Sequence, residues 1–389
     1  MMVFLNVSGG GKRAALWALN AMQTGDSLTG GKFFDHTFMI TGASGGIIGA
    51  SYYRELKLRQ MNGEAVNPLS ADHAQAISTD NLNPLIFSFL ANDVFVGLTK
   101  YEYKGQKYVK DRGYTFDQEL SNITQHLMDK SISDYHEAEA NAQIPMLILS
   151  PIITNDGRKL YISSQPVSYM NYEISGFPGY FNNKISGVDF RELFRNHGGD
   201  SLRFLSALRM SATFPYITPN TTLPTAPPIE IMDAGVSDNF GISNSVRFLY
   251  SFKEWIAENT SGVIMLSVRD SPKLGSIAAR AGETILDEIT QPISNVYNNL
   301  ENFQDIQNDV LLGQASSWFN GTIHRIDIEY QTENYVPILQ KMDSLRQNNA
   351  RASLSWRLTE REKQNIISNI KTENNKKQIQ KLIGLLSEN

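Results

Sequence analysis

Gly42-Ala43-Ser44-Gly45-Gly46 has the G-x-S-x-G form of a nucleophile elbow. In such a motif the serine sits on a sharp strand-to-helix turn with its hydroxyl presented. The flanking glycines let the backbone fold back without side-chain collisions. A hydroxyl activated there by a neighbouring base attacks ester carbonyls. A second glycine cluster stands earlier, at Ser8-Gly9-Gly10-Gly11-Lys12-Arg13. It is not a P-loop, because Lys12 is followed by Arg13 rather than Ser or Thr, and Gly30-Gly31-Lys32-Phe33 fails in the same way. Nor is it a dinucleotide fingerprint, since the later glycine is missing. Two readings remain: an anion nest of successive N–H groups at a helix N-terminus, or a tight turn with no ligand. Beside a serine nucleophile the anion would be the tetrahedral oxyanion, with Gly10 and Gly11 as the best donors within Gly9-Gly10-Gly11.

A serine nucleophile needs a base. The ordinary α/β-hydrolase order of Ser, then Asp or Glu, then His leaves His324 as the well-placed histidine among the six in the chain. That fold puts several strands before its elbow, whereas this chain has room for only about two strands before Ser44. His324 therefore reads as a strand residue, within Thr322 to Ile328. A different candidate stands at Ile231-Met232-Asp233-Ala234-Gly235. An apolar strand ends at Asp233, and a glycine turn leads towards a helix. Carboxylates at strand carboxyl ends in a parallel α/β sheet face the same edge as the elbow. The plainer reading is a turn aspartate or a helix N-cap, and Asp238 and Asn239 fit that reading well.

The elements that must hold these groups are legible as short apolar runs punctuated by glycine. Val3 to Val7 reads as a buried strand. Arg13 to about Thr24, with Leu16, Leu19 and Met22 at helical spacing, reads as a buried helix. Thr37 to Ile40 and then Gly46 to about Gln60 repeat the pattern, which is the start of a parallel α/β sheet. Further strands are predicted at Met146 to Leu149, Lys159 to Ile162, Ile229 to Met232, Val263 to Val268 and Ile323 to Ile328. Residues from about 62 to 140 read as an insertion of mixed helices with one apolar stretch, Leu85 to Leu90. It either covers the sheet or serves as a lid over an apolar substrate. Helical spacing returns from Ile277 to Trp318, and the polar C-terminal segment reads as terminal helices.

Composition narrows the classes. The chain has 389 residues, 41% hydrophobic and 19% charged, with a net charge of −5 and no cysteine. That charge argues against electrostatically driven nucleic-acid binding. The missing cysteines exclude disulfides and thiolate chemistry. No apolar run is long enough for a transmembrane helix, and the N-terminus does not read as a secretory signal. The chain reads as cytoplasmic, peripheral at a membrane, or a domain cut from a longer protein. No His/Asp cluster has ligand spacing, so neither metal nor other cofactor is expected.

The trio S-G-G-G-x-R, G-x-S-x-G and D-x-G resembles the patatin-like phospholipases and the related cytosolic phospholipase A2 group, over roughly residues 3 to 270. That resemblance implies a three-layer α/β/α fold with a mainly parallel central sheet. The catalytic domain would span 1–330, with the insertion at about 62–140 and a helical extension, 331–389, packed on it. It implies a serine–aspartate dyad without histidine, in which Ser44 is the nucleophile, Asp233 the general base and the glycine loop the oxyanion hole. Ser211-Ala212-Thr213-Phe214-Pro215 is similar to a family S-A-x-x-P stretch near the pocket. Arg13, Gly45 and Phe214 are then placed beside the substrate, and Arg13 or Lys12 would contact a lipid phosphate; the plainer reading of that arginine is a solvated or helix-packing side chain. The implied activity is hydrolysis of phospholipid or lysophospholipid esters at a membrane surface. The alternatives are a soluble carboxylesterase and a lipid-binding protein without turnover. The loop opens with Ser8 rather than Asp and closes with Ala14 rather than Gly, and the dyad aspartate is followed by Ala234-Gly235. These departures leave the reacting groups intact and the subfamily open.

Overall fold

The computed structural model describes residues 1–80, 99–103, 105–110, 112–172, 185–213, 220–273, 285–331 and 357–387. Its centre is a five-stranded parallel sheet. β1 (Met2–Val7) lies in the middle, with β2 (Thr37–Gly42) and then the strand Met146–Leu149 on one side. The strands Val263–Arg269 and Ile323–Glu329 lie on the other. The two-residue period of a strand divides β1 between two cores. Val3, Leu5 and Val7 enter one hydrophobic cluster, and Met2 and Phe4 enter another on the opposite face. Such strands, covered on both faces, read in sequence as near-continuous apolar runs.

The first cluster is covered by α1 (Gly11–Thr29) and by the elbow helix Ser44–Met61, the second by helices that include Ile242–Ser251. A layer of helices on each face of the sheet makes a three-layer α/β/α arrangement. At the C-terminal end of the chain, Asn375 brackets the backbone of Glu329, accepting from its N–H at 2.9 Å and donating to its carbonyl at 2.8 Å. Asn20 of α1 donates to the carbonyl of Ile367 at 3.1 Å. The helices Glu360–Asn369 and Glu373–Ser387 are thus tied to the edge strand and to α1.

Two features differ from the sequence expectation. The strand Ile229–Met232 is not part of the parallel sheet. It belongs to a second, mixed five-stranded sheet, where it pairs antiparallel with Ile152–Ile153 and with Thr221–Leu223. An apolar run announces a strand but carries no information about its partners. The region 62–140 also contains a hairpin, Thr99–Tyr103 paired with Gln106–Lys110, besides its helices. The alternation of Tyr with Lys and Glu around Gly105 is the local signal for it. The apolar stretch Leu85 to Leu90 lies outside the described residues. Among the described residues no helix is long and apolar enough to cross a membrane.

Candidate active site

Ser44 is the first residue of its helix and follows directly on the carboxyl end of β2. Its φ of 48° lies in the left-handed region, an uncommon conformation for a residue with a side chain, and one that concentrates at functional sites. The neighbouring backbone fixes it there. Ala43 N–H donates to the carbonyl of Val7 at 3.1 Å and Ser44 N–H to that of Ser211 at 2.8 Å. The Ser-Ala-Thr part of the segment beginning at Ser211 is therefore at the elbow, while Phe214 and Pro215 lie outside the described residues.

Gly45 is required by close approach. A Cβ there would stand 1.8 Å from the Gly11 carbonyl oxygen, and one on Gly46 or Gly49 would similarly meet the carbonyl of Ser8 or Ala15. The elbow helix and α1 thus pack backbone against backbone. This places Gly45 in the seam between two helices, a packing role beside the substrate role the resemblance implies.

The glycine loop lies against Ser44, since a Cβ built on Gly9 would be 3.2 Å from Ser44 Cβ. Its three N–H groups are not equivalent. Gly9 N–H donates to both the carbonyl and the side-chain oxygen of Asn239, each at 3.1 Å. Gly9 is therefore already committed within the protein. Gly10 and Gly11 have φ of 141° and 59° at the start of α1, and their N–H groups have no acceptor among the described residues. Two free amides at the positive end of a nineteen-residue helix form a cradle for negative charge.

Arg13 is buried in an ion pair with Asp270, which follows the strand Val263–Arg269. Asp270 is also fixed by Ser8, whose hydroxyl accepts from its N–H at 2.7 Å. A Cβ on Gly10 would collide with the Asp270 carboxylate at 1.9 Å, so this pair sits directly behind the loop. In this structure Arg13 is neither solvated nor merely packed on its helix: its ion pair with Asp270 lies behind the glycine loop. Lys12 is buried as well, and desolvation brings its ammonium down to about 7 despite the opposing charges of Asp80 and Glu119.

Asp233 reaches the same edge by a route the sequence does not show. Its strand ends in the second sheet, and the following turn crosses the carboxyl end of the parallel sheet. A Cβ on Gly241 would stand 2.7 Å from the Gly42 nitrogen. The Asp233 carboxyl is 2% exposed, and burial pushes it from 3.8 up to about 7. Two influences oppose that rise: a hydrogen bond from Gly235 N–H to Oδ1 at 2.7 Å, and the Ser44 side chain. A carboxyl that burial pushes up to about 7, at the same sheet edge as a serine hydroxyl, has the proton affinity a general base needs.

Asp238 takes the bland role considered for it. Its carboxylate accepts from Gly241 N–H at 2.8 Å and Ser243 N–H at 3.0 Å, at the entry to the helix Ile242–Ser251. His324 is far from Ser44. It pairs with Ile264 near the amino end of the sheet, whereas Gly42 aligns through Val7 and Val268 with Ile328. Four residues along the strand and three strands across amount to about 13 Å and about 14 Å. Two contributors are not legible in sequence: Asp270, behind the glycine loop, and Gln304, on the long helix Ile285–Trp318, which bonds to the turn after Asp233.

No protein-family profile matches this chain, and no curated protein does either. Among solved structures it is similar to VipD from Legionella pneumophila, at 10% identity and a TM-score of 0.35, over 98% of this chain and 66% of that one. It is also similar to human GIVD cytosolic phospholipase A2 in complex with methyl gamma-linolenyl fluorophosphonate, at 12% identity and a TM-score of 0.46, over 100% of this chain and 59% of that one. A second structure of human GIVD cytosolic phospholipase A2 matches at 13% identity and a TM-score of 0.35, over 68% and 42%. The chain therefore spans less than two thirds of the length of each. Nothing about its chemistry is taken from likenesses this distant.

Proposed function

We propose that this chain is a serine hydrolase that cleaves carboxylic esters of phospholipids or lysophospholipids through a Ser44–Asp233 dyad. The observation that carries the reading is that a left-handed, helix-initiating serine and a buried aspartate, whose turn packs against Gly42 and Ala43, meet at one sheet edge; burial pushes that aspartate up to about 7. In the acylation step Asp233 takes the Ser44 proton as Oγ bonds to the ester carbon. The carbonyl oxygen becomes the oxyanion, and the Gly10 and Gly11 amides stabilise it. Collapse expels the alcohol, which leaves with the proton from Asp233. Water then attacks the acyl-enzyme with the same base, releasing the fatty acid and restoring Ser44. The lipid class of the ester rests on the motif resemblance, and the peripheral contact with a membrane surface is part of the same proposal.

The test is hydrolysis of phospholipid and lysophospholipid by wild type, Ser44→Ala and Asp233→Asn, each checked for folding by thermal melting. Both variants should lose turnover, and a fluorophosphonate probe should label wild type but not Ser44→Ala. Because the base must be ionised, kcat/KM should rise with pH through about 7. A preference for short, soluble esters that micelles do not enhance would assign the same dyad to a carboxylesterase. Failure of the probe to label folded wild type would overturn the hydrolase reading.

A further inference from the structure

We infer that Gln304 is a positioning residue that keeps the base turn and the glycine loop in register with each other. The inference rests on the dyad reading above. Gln304 is buried on the helix Ile285–Trp318, and its amide engages the same short turn at three points. Nε2 donates to the carbonyls of Gly235 and Val236, both at 3.0 Å, and Oε1 accepts from Asn239 N–H at 2.8 Å. Two of these contacts are one step from the chemistry. Gly235 supplies the N–H that bonds Asp233 Oδ1, and Asn239 supplies the two oxygens that take the Gly9 N–H.

The helix that carries Gln304 is itself anchored beside the glycine loop. Arg269, at the end of its strand, donates to both oxygens of Asp305 at 2.8 and 2.6 Å, and Ser271 donates to Glu301 at 2.8 Å. The segment running from Arg269 to Ser271 includes Asp270, the partner of Arg13. The base turn and the glycine loop are therefore referenced to one frame, and the Gln304 amide makes the connection to the base turn. Without it, Asn239 and Gly235 keep their own bonds but lose the groups that fix where those bonds point.

The Asp233 carboxyl gives a readout that simple loss of packing would not move. Burial, the Gly235 N–H and the Ser44 hydroxyl govern it, with no charged side chain among the causes. If the turn loosens, the Gly235 bond weakens and the carboxyl titrates higher.

The experiment measures kcat, KM and the acid limb of kcat/KM for wild type, Gln304→Met and Gln304→Asn on a soluble ester, with Asp233→Asn as the reference. Gln304→Met should lower kcat about ten- to a hundredfold, with KM within about twofold. Its acid limb should move up by about one pH unit. Gln304→Asn keeps an amide but is one methylene short, so both effects should be intermediate. If Gln304→Met does not melt cooperatively, Gln304→Asn decides. An unmoved acid limb and unchanged kcat in the folded variants, with Asp233→Asn inactive, would overturn the inference and leave the dyad standing. Retained activity in Asp233→Asn would overturn the dyad reading, and this inference with it.

Discussion

Asp233→Asn tests the site through stability as well as turnover. Burial raises the carboxyl from 3.8 to about 7, so the folded protein keeps a proton that the unfolded chain releases. The resulting stabilisation is fully present below the unfolded value and is lost as pH rises through the folded one. A shift of about three units, at about 1.4 kcal/mol each, means about 4 kcal/mol is given up to hold the charged, active form. Asparagine keeps the shape and can still accept from Gly235 N–H, but it cannot ionise. The variant should therefore gain on wild type by about 2–3 kcal/mol between pH 5 and pH 8. For a chain of this length that widens the gap in melting temperature by about 3 °C. Above about pH 8 the gap should stay constant. Thermal melts of the two proteins across this range measure it. A gap that does not change with pH would mean that Asp233 ionises like an ordinary surface carboxylate, and the argument for a buried base would fail.

Three other substitutions probe the surrounding frame. Gly45→Ala places a methyl group 1.8 Å from the Gly11 carbonyl oxygen and should lose about 1–3 kcal/mol together with activity; unchanged melting would contradict the seam between the helices. Arg13→Met takes the guanidinium from buried Asp270 and should destabilise by about 3–5 kcal/mol, with Asp270→Asn in the same background recovering most of the melting temperature. No recovery would show that Arg13 acts by some route other than this pair. His324→Ala should leave turnover nearly intact, since loss of a true general base would cost a factor of about 10² to 10⁴. A drop of that size would restore the histidine reading.

The parts of the fold that were legible in sequence are those specified locally. Val3 to Val7 and Thr37 to Ile40 announce buried strands because both of their faces are covered, and glycines end them where the backbone must turn. The elbow and the glycine loop follow from the same punctuation. What the sequence did not show depends on partners distant along the chain. Asp270 meets Arg13 across 257 positions, and nothing in the helix around Arg13 indicates it. The difference between Gly9 and its two neighbours is decided by Asn239, across 230 positions. Gln304 is one glutamine in a helix rich in Asn and Gln, and only its placement against the base turn sets it apart. Ile229 to Met232 is legible as a strand, but its sheet is not, because pairing is a tertiary choice.

The direct contact of Gly45 and Gly49 with carbonyls of α1, and of Gly46 with the carbonyl of Ser8 just before it, has a consequence for how an ester would enter. Ser44 and the amides of Gly10 and Gly11 ride on two helices with no side chains between them, so they form one stiff wall. Asp233 comes from the second sheet, and its turn meets this wall at a single close approach, Gly241 on Gly42, and otherwise through hydrogen bonds. Breathing that admits a substrate therefore falls on the Asp233 turn rather than on the seam between the helices. The gap between Ser44 Oγ and the Asp233 carboxylate is then the coordinate along which such a site opens.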